Sequence, residues 1–127
     1  AIRGPNVMLG YWNRPFETAE TIKNGWFYTG DIGQVDEDGF FYIVDRSKDM
    51  INVAGFKVYP TEVENVLYEH PAVAEVAVYG VPDLEKSEIV KANIILKPDC
   101  NVTEKQIIAF CAERMAAYKM PKTIKFV

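Results

Sequence analysis

A charged turn, Asp45-Arg46-Ser47-Lys48-Asp49, falls between two apolar stretches and divides this chain into halves of different texture. Before it, the pattern is mostly β. Residues 2–11 read as an extended segment with a turn at Gly4-Pro5-Asn6. A short helix is predicted over Pro15–Lys23, with proline in its first turn and Asn24-Gly25 ending it. Trp26–Thr29 has strand composition. The acidic run Asp36-Glu37-Asp38-Gly39 then turns the chain between Val35 and a returning strand at Phe40–Val44.

After the charged turn, strands and helices alternate. Met50–Val53 and Lys57–Tyr59 form a small hairpin around Ala54-Gly55. Thr61 and Glu64 have the spacing of a capping box, which predicts a helix from Thr61 to about Glu69, stopped by Pro71. Val73–Val81 alternates as a strand, closed by Val81-Pro82-Asp83, and Ile89–Lys97 is another strand, with Lys97-Pro98-Asp99 as its exit turn. A second helix, capped by Thr103, is expected over Glu104–Ala117, with Ile107, Ile108, Phe110, Cys111 and Met115 toward the core. Thr123–Val127 begins a last strand. The order ββ-α-β-β-α-β implies an α+β domain, a hairpin and three-stranded sheet packed with helices, preceded by a β-rich stretch of another domain.

Composition narrows the function classes. A net charge of -4 with no basic run argues against nucleic-acid binding. Cys100 and Cys111 have no CxxC spacing and His70 is the only histidine, so neither a zinc site nor a disulfide framework is expected, and a reduced, cytoplasmic protein is the natural reading. No apolar run approaches the roughly 18 residues that would span a bilayer. The chain opens Ala1-Ile2-Arg3 without a methionine, which suits a segment of something longer.

Individual residues admit two readings each. Asp31, after Tyr28-Thr29-Gly30, is a carboxylate at a strand end that suits two vicinal hydroxyls, or simply part of a Thr-Gly-Asp turn. The run Asp45–Asp49 is a hinge or a solvated loop. Gly55 is a hairpin glycine or a place where a ligand passes close to the backbone. Lys57 is an exposed strand residue or a cation for phosphate. His70 lacks a nearby nucleophile or second base and is assigned no chemistry.

Taken in order, the pieces carry a resemblance. GPNVMLGYW and a helix, then GWFYTGDIG, DRSKDMI and VAGFKVYPTEVE follow one another from Ile2 to Glu64, with HPAVAEVAVYGVPDLEKSEIVKANIILK beyond. This arrangement resembles adenylate-forming enzymes: acyl-CoA synthetases, coumarate-CoA ligases, luciferases and the adenylation domains of peptide synthetases. Within that group, DMI and GFKVYP look closest to fatty-acyl-CoA synthetases. Coumarate ligases and luciferases tend to carry LIKYKG, from which Asn52 and Ala54 depart.

The resemblance implies residues 1–45 as the end of a large adenylation domain and 46–127 as hinge and small C-terminal domain. It implies two half-reactions on ATP, Mg2+ and CoA. A carboxylate attacks the α-phosphorus to give acyl-AMP and pyrophosphate, and after a domain rotation a thiol takes the acyl group. It implies that Asp31 holds the ribose hydroxyls and that Arg46 reaches the nucleotide. Lys48 falls on the hinge, and Gly55 lets the pantetheine arm of CoA pass. Lys57 faces the thioester-forming site, where relatives carry glutamine or arginine. The family's catalytic lysine falls beyond Val127, and Lys122 is not assigned that role, so this stretch alone is expected to be inactive. The rival readings are an adenylation domain that loads a carrier protein and a non-catalytic interaction module. The module would need residues 1–44 to have a core of their own. A ligase segment would instead leave apolar surface exposed around Trp12, Trp26 and Phe27.

Overall fold

The computed structural model describes residues 1–127, which form two compact units, Ala1–Lys48 and Asp49–Val127. The first unit holds helix α1 (Pro15–Thr21) and strands β1 (Ile22–Lys23), β2 (Trp26–Phe27), β3 (Asp31–Val35) and β4 (Phe41–Arg46). Helix α1 stops two residues short of the predicted Lys23. Asn24 and Gly25 have φ of 52° and 77°, and they turn β1 back onto β2. Asn-Gly is the favoured pair for a two-residue hairpin turn because both positions need positive φ. That preference overrides its use here as a helix stop.

The aromatic strand is also shorter than its composition suggested, ending at Phe27. Beyond it Gly30 takes φ 79° and the Asp31 N–H donates to Thr29 Oγ1 at 3.1 Å, so the chain bends before β3 begins. Strands β3 and β4 pair antiparallel across the acidic turn. There Asp36 Oδ1 accepts from the N–H groups of Phe40 (2.9 Å) and Asp38 (3.1 Å). No residue of this unit is buried. Trp12 is 89% exposed, Phe16 83% and Phe41 83%, so the unit has apolar surface without a core of its own.

The second unit has that core. Strands β5 (Ile51–Val53) and β6 (Phe56–Val58) precede helix α2 (Pro60–Tyr68); β7 (Val73–Asp83) and β8 (Ser87–Leu96) precede α3 (Glu104–Ala112) and β9 (Thr123–Phe126). Strand β8 is central. It pairs antiparallel with β7 along its whole length and parallel with β9 from Lys91↔Thr123 to Ile94↔Phe126. The parallel pairing needs a crossover, which α3 supplies. One pair, Val53↔Ser87, joins the β5–β6 hairpin to β8, giving a five-stranded sheet in place of a separate hairpin and three strands.

The helices meet this sheet through residues four apart, Val63 and Leu67 on α2 and Ile107 and Cys111 on α3, which the helical repeat sets on one side. With Ile51, Val58, Val90 and Ile94 they are essentially inaccessible. Burying each such aliphatic side chain contributes about 1.5–3 kcal/mol. The expected core of α3 is narrower than read, with Ile108, Phe110 and Met115 only partly covered.

Three local expectations need correction. Helix α2 starts at Pro60, not Thr61, because proline's fixed φ suits the first helical position, and Tyr59 caps it without a side-chain bond. Glu64 therefore does not close a capping box. Its carboxylate accepts the Val78 N–H of edge strand β7 at 2.8 Å. A complete box does form at α3, between Thr103 and Gln106. Helix α3 ends at Ala112, five residues before the predicted Ala117. Arg114 Nη1 donates to the Phe110 carbonyl at 3.0 Å, and its guanidinium lies over the Phe110 ring at 3.7 Å. The side chain thus satisfies one of the last-turn carbonyls and ends the helix. Strand β7 runs on through Pro82 to Asp83, which an edge strand permits.

The two thiols differ sharply. Cys100 is exposed and Cys111 is buried, and burial pushes the Cys111 thiol above its ordinary pKa. Native-state labelling at pH 8 is expected to modify Cys100 rapidly and Cys111 only as the second unit opens. Two equally fast thiols would contradict the packing of α3. The folded state holds the Cys111 proton more tightly than the unfolded state does. Its stability contribution is therefore intact below the ordinary thiol value of about 8.5 and is lost as pH rises through the folded value.

Candidate nucleotide hairpin and thiol turn

Residues Asp31 and Arg46 lie at the first position of β3 and the last position of β4, and the hairpin register makes them direct partners. Arg46 Nε is 3.6 Å from Asp31 Oδ1; the Asp31 side chain is 28% exposed and that of Arg46 62%. An ion pair this open to solvent is worth about 0–1 kcal/mol, so it yields readily to a ligand that offers better partners. A carboxylate accepts from two neighbouring hydroxyls, and an adjacent guanidinium donates to an anion. The Ser47 N–H donates to the Gly30 carbonyl at 2.8 Å, and the Arg46 N–H to Asp45 Oδ1 at 2.7 Å. The start of β3 and the end of β4 are thereby tied at one end of the hairpin. Asp31 also borders an open hollow of about 640 Å³ in the first unit, with Arg3, Thr29, Gln34 and Tyr42.

Lys48 lies in the turn that follows β4, exposed, and is the last residue of the first unit. Gly55 is in the second unit, at the tip of the β5–β6 hairpin. Ala54 and Gly55 have φ of 51° and 89°, the pattern of a two-residue hairpin turn. A Cβ on Gly55 would meet nothing within 4 Å, so its backbone angle, not crowding in this chain, is what requires glycine. Lys57 is exposed on β6 opposite Asn52. The neighbouring Phe56 stacks on Tyr118, with centroids 4.8 Å apart.

The expected residues thus fall in two places, with Asp31 and Arg46 paired on one hairpin and Gly55 and Lys57 on another. Sequence reading missed the bonds that hold the Gly55 turn. The Ala54 N–H donates to the Lys86 carbonyl at 2.7 Å, and the Gly55 N–H to Asn52 Oδ1 at 2.9 Å. The only signal in the sequence was that Asn52 and Ala54 depart from the LIKYKG pattern. No group of three or more His, Cys, Asp and Glu side chains is placed to hold a metal ion. No helix is long and apolar enough to cross a membrane.

Known proteins are similar to this chain. The family model described as AMP-binding enzyme C-terminal domain matches residues 62–127. A long-chain-fatty-acid–CoA ligase of Bacillus subtilis is 50% identical over 125 residues, 98% of this chain but 22% of its own length. A feruloyl-CoA synthase of an Amycolatopsis species is 46% identical, over 98% of this chain and 26% of its own. Among solved structures, the o-succinylbenzoate CoA synthetase of Bacillus subtilis, in complex with its acyl-adenylate intermediate, superposes with a TM-score of 0.90 at 40% identity. That match covers 98% of this chain and 25% of that one.

Proposed function

Because this chain belongs to the AMP-binding enzyme C-terminal domain family, we propose that it is one end of an ATP-dependent acyl-CoA ligase acting on a fatty acid. The observation that carries the proposal is the cross-strand pairing of Asp31 with Arg46, immediately before the turn at Lys48. In this reading Asp31 accepts from both ribose hydroxyls and fixes the sugar, while Arg46 turns from Asp31 to the nucleotide's charge. Lys48 is the pivot between half-reactions, with the domain boundary at 45/46 just before it, at the end of β4. Gly55 borders the path of the CoA thiol arm, and Lys57 presents a cation to phosphate there. ATP and CoA are the substrates, and the compartment is the cytoplasm.

The coreless first unit supports this reading over a free-standing interaction module, which would bury part of residues 1–44 within itself. Fatty acid is favoured as substrate by the 50% identity to a long-chain-fatty-acid ligase, although a feruloyl-CoA synthase at 46% stands close behind. The test is product analysis on the intact protein that carries this chain. With ATP, CoA and a long-chain fatty acid, it is expected to release AMP and acyl-CoA in equal amounts. Turnover with an aromatic acid alone would replace the substrate. Acyl transfer only to a carrier protein would replace the acceptor.

A further inference from the structure

The Ala54–Gly55 turn is held in an unfavourable backbone. Alanine at φ 51° costs about 1–2 kcal/mol relative to glycine. Besides the Val53–Phe56 pair that closes the turn, three bonds help hold it. In two of them the Ala54 N–H donates to Lys86 O and the Gly55 N–H donates to Asn52 Oδ1. The third lies one step back: the Asn52 N–H donates to Glu88 Oε2 at 2.7 Å. In a two-residue hairpin the pair next to the turn, here Val53 and Phe56, exchanges its backbone bonds inward. The following pair, Asn52 and Lys57, points outward. Asn52 thus faces β8, where the Glu88 carboxylate meets its amide.

Strand β7 makes room for that carboxylate. A Cβ on Gly80 would stand 2.8 Å from Glu88 Oε1 and 3.1 Å from Ile51 Cγ2. Glycine at this position leaves the space Glu88 needs to lie against the hairpin. On the far side, Asp83 Oδ1 accepts from the N–H groups of Glu85 (3.0 Å) and Lys86 (2.9 Å), which fixes the loop that presents the Lys86 carbonyl.

We infer that Asn52 and Glu88 are positioning residues for the thiol step, holding the Ala54–Gly55 turn in the left-handed backbone that the CoA arm passes. The inference rests on the proposal that Gly55 borders that path. Neither residue touches the reacting atoms; they act through the turn. Loss of one clamp bond lets the turn relax and makes thiol entry harder, while the nucleotide hairpin in the other unit is unaffected.

The experiment uses the intact ligase carrying this chain, with Asn52→Ala, Glu88→Ala and Glu88→Gln. Each alanine variant is expected to raise KM for CoA about five- to tenfold, the worth of one hydrogen bond. Carboxylate-dependent ATP–pyrophosphate exchange stays within about twofold of the parent, since that half-reaction does not use the clamp. Glu88→Gln keeps an acceptor oxygen and restores KM. Amide hydrogen exchange at Gly55 quickens in Asn52→Ala. An unchanged KM for CoA in both alanine variants overturns the inference. So does a parallel fall of both half-reactions with thermal stability, the mark of a merely structural role. If the parent forms no acyl-CoA with any acid, the proposed function itself fails, and Gly55 exchange alone then decides whether the clamp exists.

Discussion

Replacing Asp31 with alanine in the intact protein that carries this chain is expected, if the proposed function holds, to lower carboxylate-dependent ATP–pyrophosphate exchange by on the order of 10²- to 10⁴-fold. Each hydrogen bond from a neutral hydroxyl to a charged acceptor is worth about 1.5–3 kcal/mol, and two ribose hydroxyls would be lost together. A decade of rate or affinity corresponds to about 1.4 kcal/mol. The fold itself should tolerate the change. Asp31 is not buried, and its ion pair with Arg46 is solvent-exposed enough to contribute little to stability. A variant with unchanged melting temperature and lost exchange therefore separates a ligand role from a turn role. Asp31→Asn, which keeps one acceptor oxygen, should fall between parent and alanine. Exchange in Asp31→Ala within threefold of the parent would leave Asp31 as the Thr-Gly-Asp turn residue that its tripeptide also allowed.

The second large effect is expected at Lys48. Proline there fixes φ near −65° and also restricts Ser47, so the backbone can no longer pass between two arrangements. In the proposed reading Lys48 is the pivot, and it is the last residue of the first unit. Lys48→Pro is expected to keep pyrophosphate exchange within about threefold and to slow acyl transfer to CoA by 100-fold or more, as loss of a gating motion does. Lys48→Ala leaves the backbone free and should preserve both steps, which separates the conformational effect from loss of the ammonium. Equal losses in both half-reactions of the proline variant would mean that the turn supports one conformation only, and the pivot would have to lie elsewhere.

Much of the second unit was legible because its signals are local. Alternation marked β7, glycine marked the β5–β6 turn, and Thr103 marked the start of α3. Misreadings arose where two local preferences competed. Asn24-Gly25 can end a helix or turn a hairpin, and the pairing of β1 with β2 decided it. Thr61 and Glu64 had capping-box spacing, but Pro60 took the first helical position and the Glu64 carboxylate was drawn to the edge of β7. The end of α3 turned on one side chain, Arg114 on Phe110, which helical periodicity does not register.

Sites were less legible than elements, for a related reason. Asp31 and Arg46 could be singled out only through the ordered motifs around them, since each alone reads as a turn or surface residue. That the two are register partners came from the β3–β4 pairing. Asn52 and Glu88 are 36 positions apart and meet through a backbone amide that the hairpin aims outward. No spacing in the sequence reports such a bond. The absence of any buried residue before Asp49 likewise depends on how the aromatic side chains are placed, which composition does not report.

The most direct test of the whole reading is a single-turnover chase on the intact protein. Enzyme, ATP and a long-chain fatty acid are mixed without CoA, part is quenched, and CoA is added to the rest. The expected result is an enzyme-bound acyl-adenylate that accumulates to about one per active site and is discharged to acyl-CoA and AMP when CoA arrives. No adenylate with any carboxylate, or an adenylate that CoA fails to discharge, would contradict it.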